Sequence, residues 1–490
     1  MYLSKSKYCN AIQCNKILWL EQYNKDEKEK NENQSVFDTG IEVGNYAKEL
    51  FGKHIDIKFN GNLTKMIEET LNVIKNNEKI TITEASFSYN NNFCSIDILK
   101  KNKDIYEIYE VKSSTEIKEI YLDDIAYQYY ILKKLGYTVK KASIVYINNK
   151  YERHGELELN KLFIIKDVTD IAKEKLEEVE NKIKEINEYM KQSKEPKEEI
   201  GMHCVKPYDC PFFKHCTKKL PKNNVFNIRR MRNNTKFNLY HQGIISYEDL
   251  LKENIDAMYK EQIEFELYEK KDKINKKEIK KFLDTLSFPL YFLDFETYQQ
   301  PVPQYDNIKP YQQIPFQFSL HFLIKENETL NHKEYLASPN IDPRRGLAES
   351  LVNDIPKNVC VLAYNMTFEK TVIKNLASLY PDLKDSLMSI HDNIKDLMIP
   401  FYNRDYYNKD MQGSYSIKYV LPALFKNDES LNYHNLDEIH NGSEAMNAFA
   451  NMGKLPKDKQ EKLRINLLKY CELDTYAMVK IWEKLKSLYN

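Results

Sequence analysis

The chain has 490 residues, and its 73 Lys and Arg balance 73 Asp and Glu to a formal net charge of zero. That length accommodates about three domains of ~150 residues, and a neutral total excludes capture of nucleic acid by an overall field, leaving only a local basic groove for that purpose. The first seven residues carry no apolar core of signal-peptide length, and no run of about 18 apolar residues is available to span a bilayer, so a cytoplasmic protein without a membrane partner is expected.

In chain order, apolar residues at helical spacing predict an amphipathic helix over 8–20. A polar stretch over 24–35, a second helix over 40–51 and a strand over 80–89 follow. Two further strands are expected at 95–99 and 108–114. Asp97 lies on the first, and alternation puts Glu110 and Lys112 on one face of the second. A helix behind the acidic pair Asp123 and Asp124 carries Gln128. Asp97 and Glu110 are candidate ligands for a divalent ion. Lys112 is a candidate to polarise the attacking water or to stabilise a charged phosphorane. A strand over 142–147 is expected to close this sheet, and a Lys/Glu-rich helix over 170–192 to present a solvated charged face.

Eight cysteines in a reducing compartment are read for metal rather than for disulfides. Cys204, Cys210 and Cys216 fall within thirteen residues that two prolines keep from forming a helix. Such a segment can wrap one metal centre. Cys14 is the chosen fourth ligand, Cys9 competes with it, and His203 or His215 would instead complete a zinc site. Cys94, Cys360 and Cys471 read as core residues.

The series Asp97, Glu110-x-Lys112 and Gln128, with one cysteine before it and three after, resembles the iron–sulfur branch of the RecB-like PD-(D/E)XK nucleases, which includes CRISPR-associated exonucleases. The resemblance implies a restriction-endonuclease-like domain over 1–220. In it, Asp97, Glu110, Lys112 and Gln128 would form a nuclease site, and Cys14, Cys204, Cys210 and Cys216 would hold a structural [4Fe–4S] cluster. The chain departs from the branch at Gly44, which ends Gly40-Ile41-Glu42-Val43-Gly44 where a Gly-x-x-x-His is usual, and in a looser cysteine spacing.

A helical connector is expected over 221–285. Residues 239–250 faintly resemble a helix–hairpin–helix clamp, with a plain helical spacer preferred. Arg229, Arg230, Arg232 and Lys236 make the most concentrated basic patch, suited to phosphate contacts.

The remainder, 286–490, reads as strands at 290–295, 316–324 and 332–336, a helix over 345–354, a strand over 359–363 and a helix after Asn365. A segment from Gly413 to Lys418 looks like a helix cap, and a last helix spans 457–488. Asp294 and Glu296 share a strand face, while Tyr470 and Asp474 share a helix face. Carboxylates gathered in this way repel one another unless cations lie between them, which is the chemistry of two-metal phosphodiester hydrolysis.

The order Asp-x-Glu, Asn365-x-x-Phe368-acid, Tyr-x-x-x-Asp resembles the DEDD 3′–5′ exonucleases, which are DnaQ-like with an RNase H-like fold. The resemblance implies that Asp294, Glu296 and Asp474 hold Mg2+ or Mn2+, that Tyr470 orients the attacking water, and that Asn365 supports the site. Glu369 stands where the family has Asp, and Asp396 is its rival for the fourth carboxylate. The whole chain is then an α/β protein resembling an uncharacterised bacterial family: a PD-(D/E)XK domain with an Fe–S cluster, a helical connector and an RNase H-like domain. A 3′–5′ exonuclease acting on single-stranded or frayed ends is expected, with DNA ahead of RNA as partner. The alternative, which Gly44 and Glu369 favour, is a non-catalytic nucleic-acid-binding scaffold with degenerate nuclease sites.

Overall fold

The computed structural model describes residues 2–29, 34–426 and 428–489. It is a mixed α/β structure that divides into two compact units. The first runs through residue 220 and includes Asn233–Asn238 and Gln300–Tyr311. The second contains Pro221–Arg232, Leu239–Gln299 and Gln312–Asn490. Among the described residues no helix is long and apolar enough to cross a membrane.

The first unit opens with α1 (Lys5–Gln13) and α2 (Asn15–Tyr23). A single helix was expected here. Cys14 breaks it, with an extended backbone at φ −166° and ψ 121°. A seven-stranded sheet follows. Its antiparallel centre is β1 (Lys79–Tyr89), β2 (Asn92–Asn102) and β3 (Ile105–Lys112). The helix α3 (Glu119–Lys134) then crosses over to β4 (Thr138–Ile147), which is parallel to β3. The sheet does not close there, because β5 (Phe163–Asp167) pairs antiparallel with β4. Exposed Ile164 and Ile165 on this edge hide the in-out alternation by which a strand is recognised. The expected helix over 170–192 is also two, Thr169–Glu174 and Leu176–Tyr189, and Lys175 at the break pairs with buried Asp123 at 2.8 Å. Ile82, Ile96, Leu99, Ile108 and Ile144 of the sheet pack with Tyr127 and Ile131 of α3 into one core, each such side chain contributing roughly 1.5–3 kcal/mol by burial.

The second unit is built on a five-stranded sheet. β6 (Leu290–Tyr298), β7 (Ile314–Leu323) and β8 (Asn331–Leu336) are antiparallel neighbours. On the other side of β6 lie the parallel strands β9 (Cys360–Ala363) and β10 (Ile394–Asp396), giving the order β8-β7-β6-β9-β10. Its helices include α4 (Arg344–Asp354), α5 (Thr367–Leu379), α6 (Ile417–Leu424), α7 (Gly442–Met452) and α8 (Lys457–Lys486).

Strand alternation decides which side of this sheet holds what. Tyr291, Leu293 and Phe295 pack with Leu347 and Leu351 of α4 and with Val372 and Leu376 of α5. Leu290 and Phe292 pack with Leu473, Met478, Ile481 and Trp482 of α8. Continuing the even-numbered series, Asp294 and Glu296 lie on the α8 side.

Candidate metal centres

On α8, Tyr470 and Asp474 are one turn apart and face β6. Carboxylate oxygens of Asp294, Glu296 and Asp474 lie within 4.8 Å of one another. The Tyr433 hydroxyl donates to Asp474 Oδ1 at 2.5 Å, and Tyr470 also hydrogen-bonds this carboxylate. Cys471 Sγ lies 3.8 Å from Asp294 Oδ2. Among the described residues no lysine or arginine forms an ion pair with the three carboxylates, and Lys418 of α6 acts on Glu296 and Asp474 through its field alone. Burial, then the charge of Asp474, pushes Asp294 and Glu296 well above the usual carboxylate range, and burial pushes Asp474 up to about 6. A half-buried to buried cluster of oxygen donors with no cationic partner beside it among the described residues fits divalent cations.

Glu369 stands in the first turn of α5. It is buried, its Oε2 has no hydrogen-bond partner, and burial pushes it up to about 8. Its charge adds to the field at Asp294. Asp396 is differently employed. It accepts the backbone N–H groups of Asn365, Met366 and Met398 at 2.9, 3.3 and 3.0 Å, so it fastens the β9–α5 turn. Asn365 makes that turn at φ +72°, a left-handed conformation that asparagine tolerates better than most residues.

Next to the three carboxylates opens a cleft of about 470 Å³, lined by Lys418, Phe425, Tyr433, His434, Tyr470 and Asp474 among others. The start of α7 borders Glu296, since a Cβ on Gly442 would lie 3.6 Å from Glu296 Oε2. Ser416 takes the N-cap position of α6 without a side-chain capping bond. In the same unit Arg229 stacks on and donates to Tyr419, and the Arg230 guanidinium lies over the Tyr415 ring. Tyr433 carries no pattern in the sequence, being a tyrosine in an irregular segment, whereas Lys418 ends the segment from Gly413 that the sequence marks as a helix cap.

In the first unit, the register of Ile98 opposite Tyr109 puts Asp97 across from Glu110. Lys112 Nζ bridges Glu110 Oε1 and Asp124 Oδ2, both at 2.6 Å, and Gln128 Nε2 donates to Glu110 Oε2 at 2.6 Å and Asp124 Oδ1 at 3.0 Å. Asp97 Oδ2 accepts from Val111 N at 2.7 Å. The four expected residues therefore converge, and two unexpected ones join them, Asp124 and Lys5. Lys5 Nζ sits 3.2 Å from Asp97 Oδ1 and 2.9 Å from each Glu110 oxygen. Burial and the neighbouring Asp124 and Asp97 push Glu110 up to about 7, against the pull of both lysines. An ammonium thus stands between the two carboxylates that a divalent ion would use, and an ion fits only if Lys5 withdraws. Gly44 lies in the helix Gln34–Leu50, where an added Cβ would meet nothing within 4 Å.

Cys14, Cys204, Cys210 and Cys216 line one cavity together with Ile17, His203 and other residues. All four are free thiols, and burial raises each of them. Tetrahedral zinc, with Zn–S near 2.3 Å, sets thiolates roughly 3.8 Å apart. Among the described residues no three of these sulfurs lie within 4.8 Å of one another, a spacing wider than a tetrahedral zinc site. Cys9 lies outside this cavity, on α1 against the sheet core, and His215 is engaged by Glu195 at 2.9 Å.

Comparison with known proteins adds the following. Residues 291–416 match DUF2779, a domain of unknown function. This DUF2779 segment runs from β6 into the loop before α6. The chain is also 28% identical over 210 residues to the uncharacterized protein MG366 of Mycoplasma genitalium, covering 39% of the chain and 31% of that protein. It is 32% identical over 121 residues to the CRISPR-associated exonuclease Cas4 of Methanocaldococcus jannaschii, covering 25% of the chain and 60% of Cas4. The chain therefore spans about a third and three-fifths of these two relatives, and a quarter of it is similar to a nuclease.

Proposed function

We propose that the chain is a metal-dependent nuclease, a 3′–5′ exonuclease acting on single-stranded or frayed ends, with DNA ahead of RNA as substrate. The observation that carries this reading is the convergence of Asp294, Glu296 and Asp474, half-buried to buried and, among the described residues, without a lysine or arginine ion-pair partner. These three would hold Mg2+ or Mn2+, which supplies an activated water and charge neutralisation at the leaving oxygen. Glu369, with its unpartnered oxygen, completes the carboxylate set. The Tyr470 hydroxyl, tied to Asp474, orients the attacking water. Lys418 meets the incoming phosphate at the cleft. Arg229 and Arg230, with the tyrosines they stack on, offer phosphate contacts and base-stacking surfaces.

Similarity to Cas4 supports the nuclease class, and the strand order of the second unit supports an RNase H-like domain. In the same reading the first unit is a PD-(D/E)XK-type domain. Cys14, Cys204, Cys210 and Cys216 would hold its [4Fe–4S] cluster, which supplies a structural cross-link. The scaffold reading applies to this unit alone, because Lys5 already bridges Asp97 and Glu110; the unit grips a strand without cutting it. The test compares Mn2+-dependent mononucleotide release from a single strand with a free 3′ end and from one whose 3′ end is blocked. Release from the free end alone is expected. Equal release from both refutes the polarity, and no release from either refutes the exonuclease.

A further inference from the structure

A second ligand cluster lies on the other side of α8. β7 and β8 pair with His321 directly opposite His332, so both side chains leave the same face of the sheet, and their ring centroids are 4.5 Å apart. That face is the one α8 covers, because Ser319 pairs with Asp294 and His321 follows two residues later. Glu472 comes from α8 above them. One ring nitrogen from each histidine and one Glu472 oxygen lie within 4.8 Å of one another.

We propose that His321, His332 and Glu472 bind a divalent transition-metal ion of the zinc type, separate from the carboxylate centre, and that this ion fastens α8 to the outer strand of the sheet. Two imidazoles and one carboxylate are the donor set of borderline ions such as zinc, whereas the all-oxygen set of Asp294, Glu296 and Asp474 suits magnesium or manganese.

A buried hydroxyl pair supports the proposal. His321 Nδ1 meets Thr475 Oγ1 at 2.8 Å, His332 Nε2 meets Ser319 Oγ at 2.9 Å, and the two hydroxyls meet each other at 2.7 Å. Each imidazole therefore spends one nitrogen on a hydroxyl, which fixes its orientation and leaves its second nitrogen for a ligand, as outer partners do around bound metals. His321 is buried, His332 is half-buried and Glu472 is exposed, so an ion enters from the Glu472 side.

The two centres are distinct. Glu472 and Asp474 are about 200° apart around the helix axis, one facing the β8 edge and the other β6. An ion at the first would fix the azimuth of α8 and with it the positions of Tyr470 and Asp474.

Zinc binding to the purified full chain, measured by equilibrium dialysis, tests this. His332→Gln and Glu472→Gln should each bind one zinc ion per chain fewer than wild type, or bind it about 100-fold more weakly. Both positions are at least partly exposed, so folding should survive. Asp294→Asn should keep the ion even if the nuclease reading fails. Cobalt substituted into wild type should show visible ligand-field bands that His332→Gln lacks. Equal stoichiometry and affinity in wild type and both variants would overturn the proposal. So would loss of the ion from Asp294→Asn, which would assign it to the carboxylate centre.

Discussion

Lys5 holds its ammonium 2.9 Å from both oxygens of Glu110, across 105 residues of sequence. With Lys112 it sets two ammoniums against a three-carboxylate cluster, whereas among the described residues the three carboxylates around Asp294 have no lysine or arginine partner. The two centres therefore answer divalent cations differently. Lys5→Met removes a partner from a buried ion cluster and should lower stability by about 3 kcal/mol. Added Mn2+ should raise the melting temperature of the variant more than that of wild type, whose response comes from the Asp294 centre alone. Thermal melts with and without Mn2+ check this, and Gly44→His added to Lys5→Met should strengthen the manganese response.

Stability against pH follows from raised carboxyls in both units, Glu110 of the first among them. In the folded protein burial pushes Asp474 up to about 6 and Glu369 up to about 8, with Asp294 and Glu296 also raised. Above about pH 4.3 the unfolded chain releases these protons while the native protein retains them. The metal-free protein therefore binds more protons folded than unfolded, and its stability falls as pH rises through 6 towards 8. In EDTA the melting temperature should drop by several degrees between pH 5 and pH 8, and Mn2+ should flatten the slope. A melting temperature that rises over this range in EDTA would contradict the assignment.

Tyr433→Phe deletes the 2.5 Å hydrogen bond to Asp474 without altering ring volume. Activity should fall about 10-fold, with the loss in kcat, because a charge-assisted bond to a metal ligand is worth roughly 1.5–3 kcal/mol. An unchanged kcat would separate Tyr433 from the site.

Cys14→Ser should abolish any visible absorbance of anaerobically purified protein and loosen the corner between α1 and α2, which Cys14 alone forms. Cys9→Ser, outside the cavity, should leave the absorbance in place. Equal spectra from the two variants would remove Cys14 from the ligand set.

Much of the second unit could be read from the sequence. The alternation Leu290, Phe292, Asp294, Glu296 names a face, and the Tyr470–Asp474 spacing names another. Both signals are local, and tertiary packing only has to bring the faces together. What could not be read depends on distant partners. Lys5 is one of many lysines until the fold sets it beside Glu110. The hydroxyl of Tyr433 gains meaning only from its position over α8. Asp396 and Glu369 were equal rivals in sequence, and what separates them is a turn whose backbone N–H groups claim Asp396. The break at Cys14 was masked because apolar residues continue at helical spacing on both sides of it.

The central claim is that phosphodiester chemistry belongs to the Asp294 centre. Single-stranded DNA and RNA labelled at the 5′ end, incubated with anaerobically purified protein and manganese, test it most directly. A ladder shrinking from the 3′ end, abolished by Asp294→Ala and kept by Lys112→Ala, is the predicted result. A ladder that survives Asp294→Ala and disappears with Lys112→Ala would contradict it and move the chemistry to the first unit.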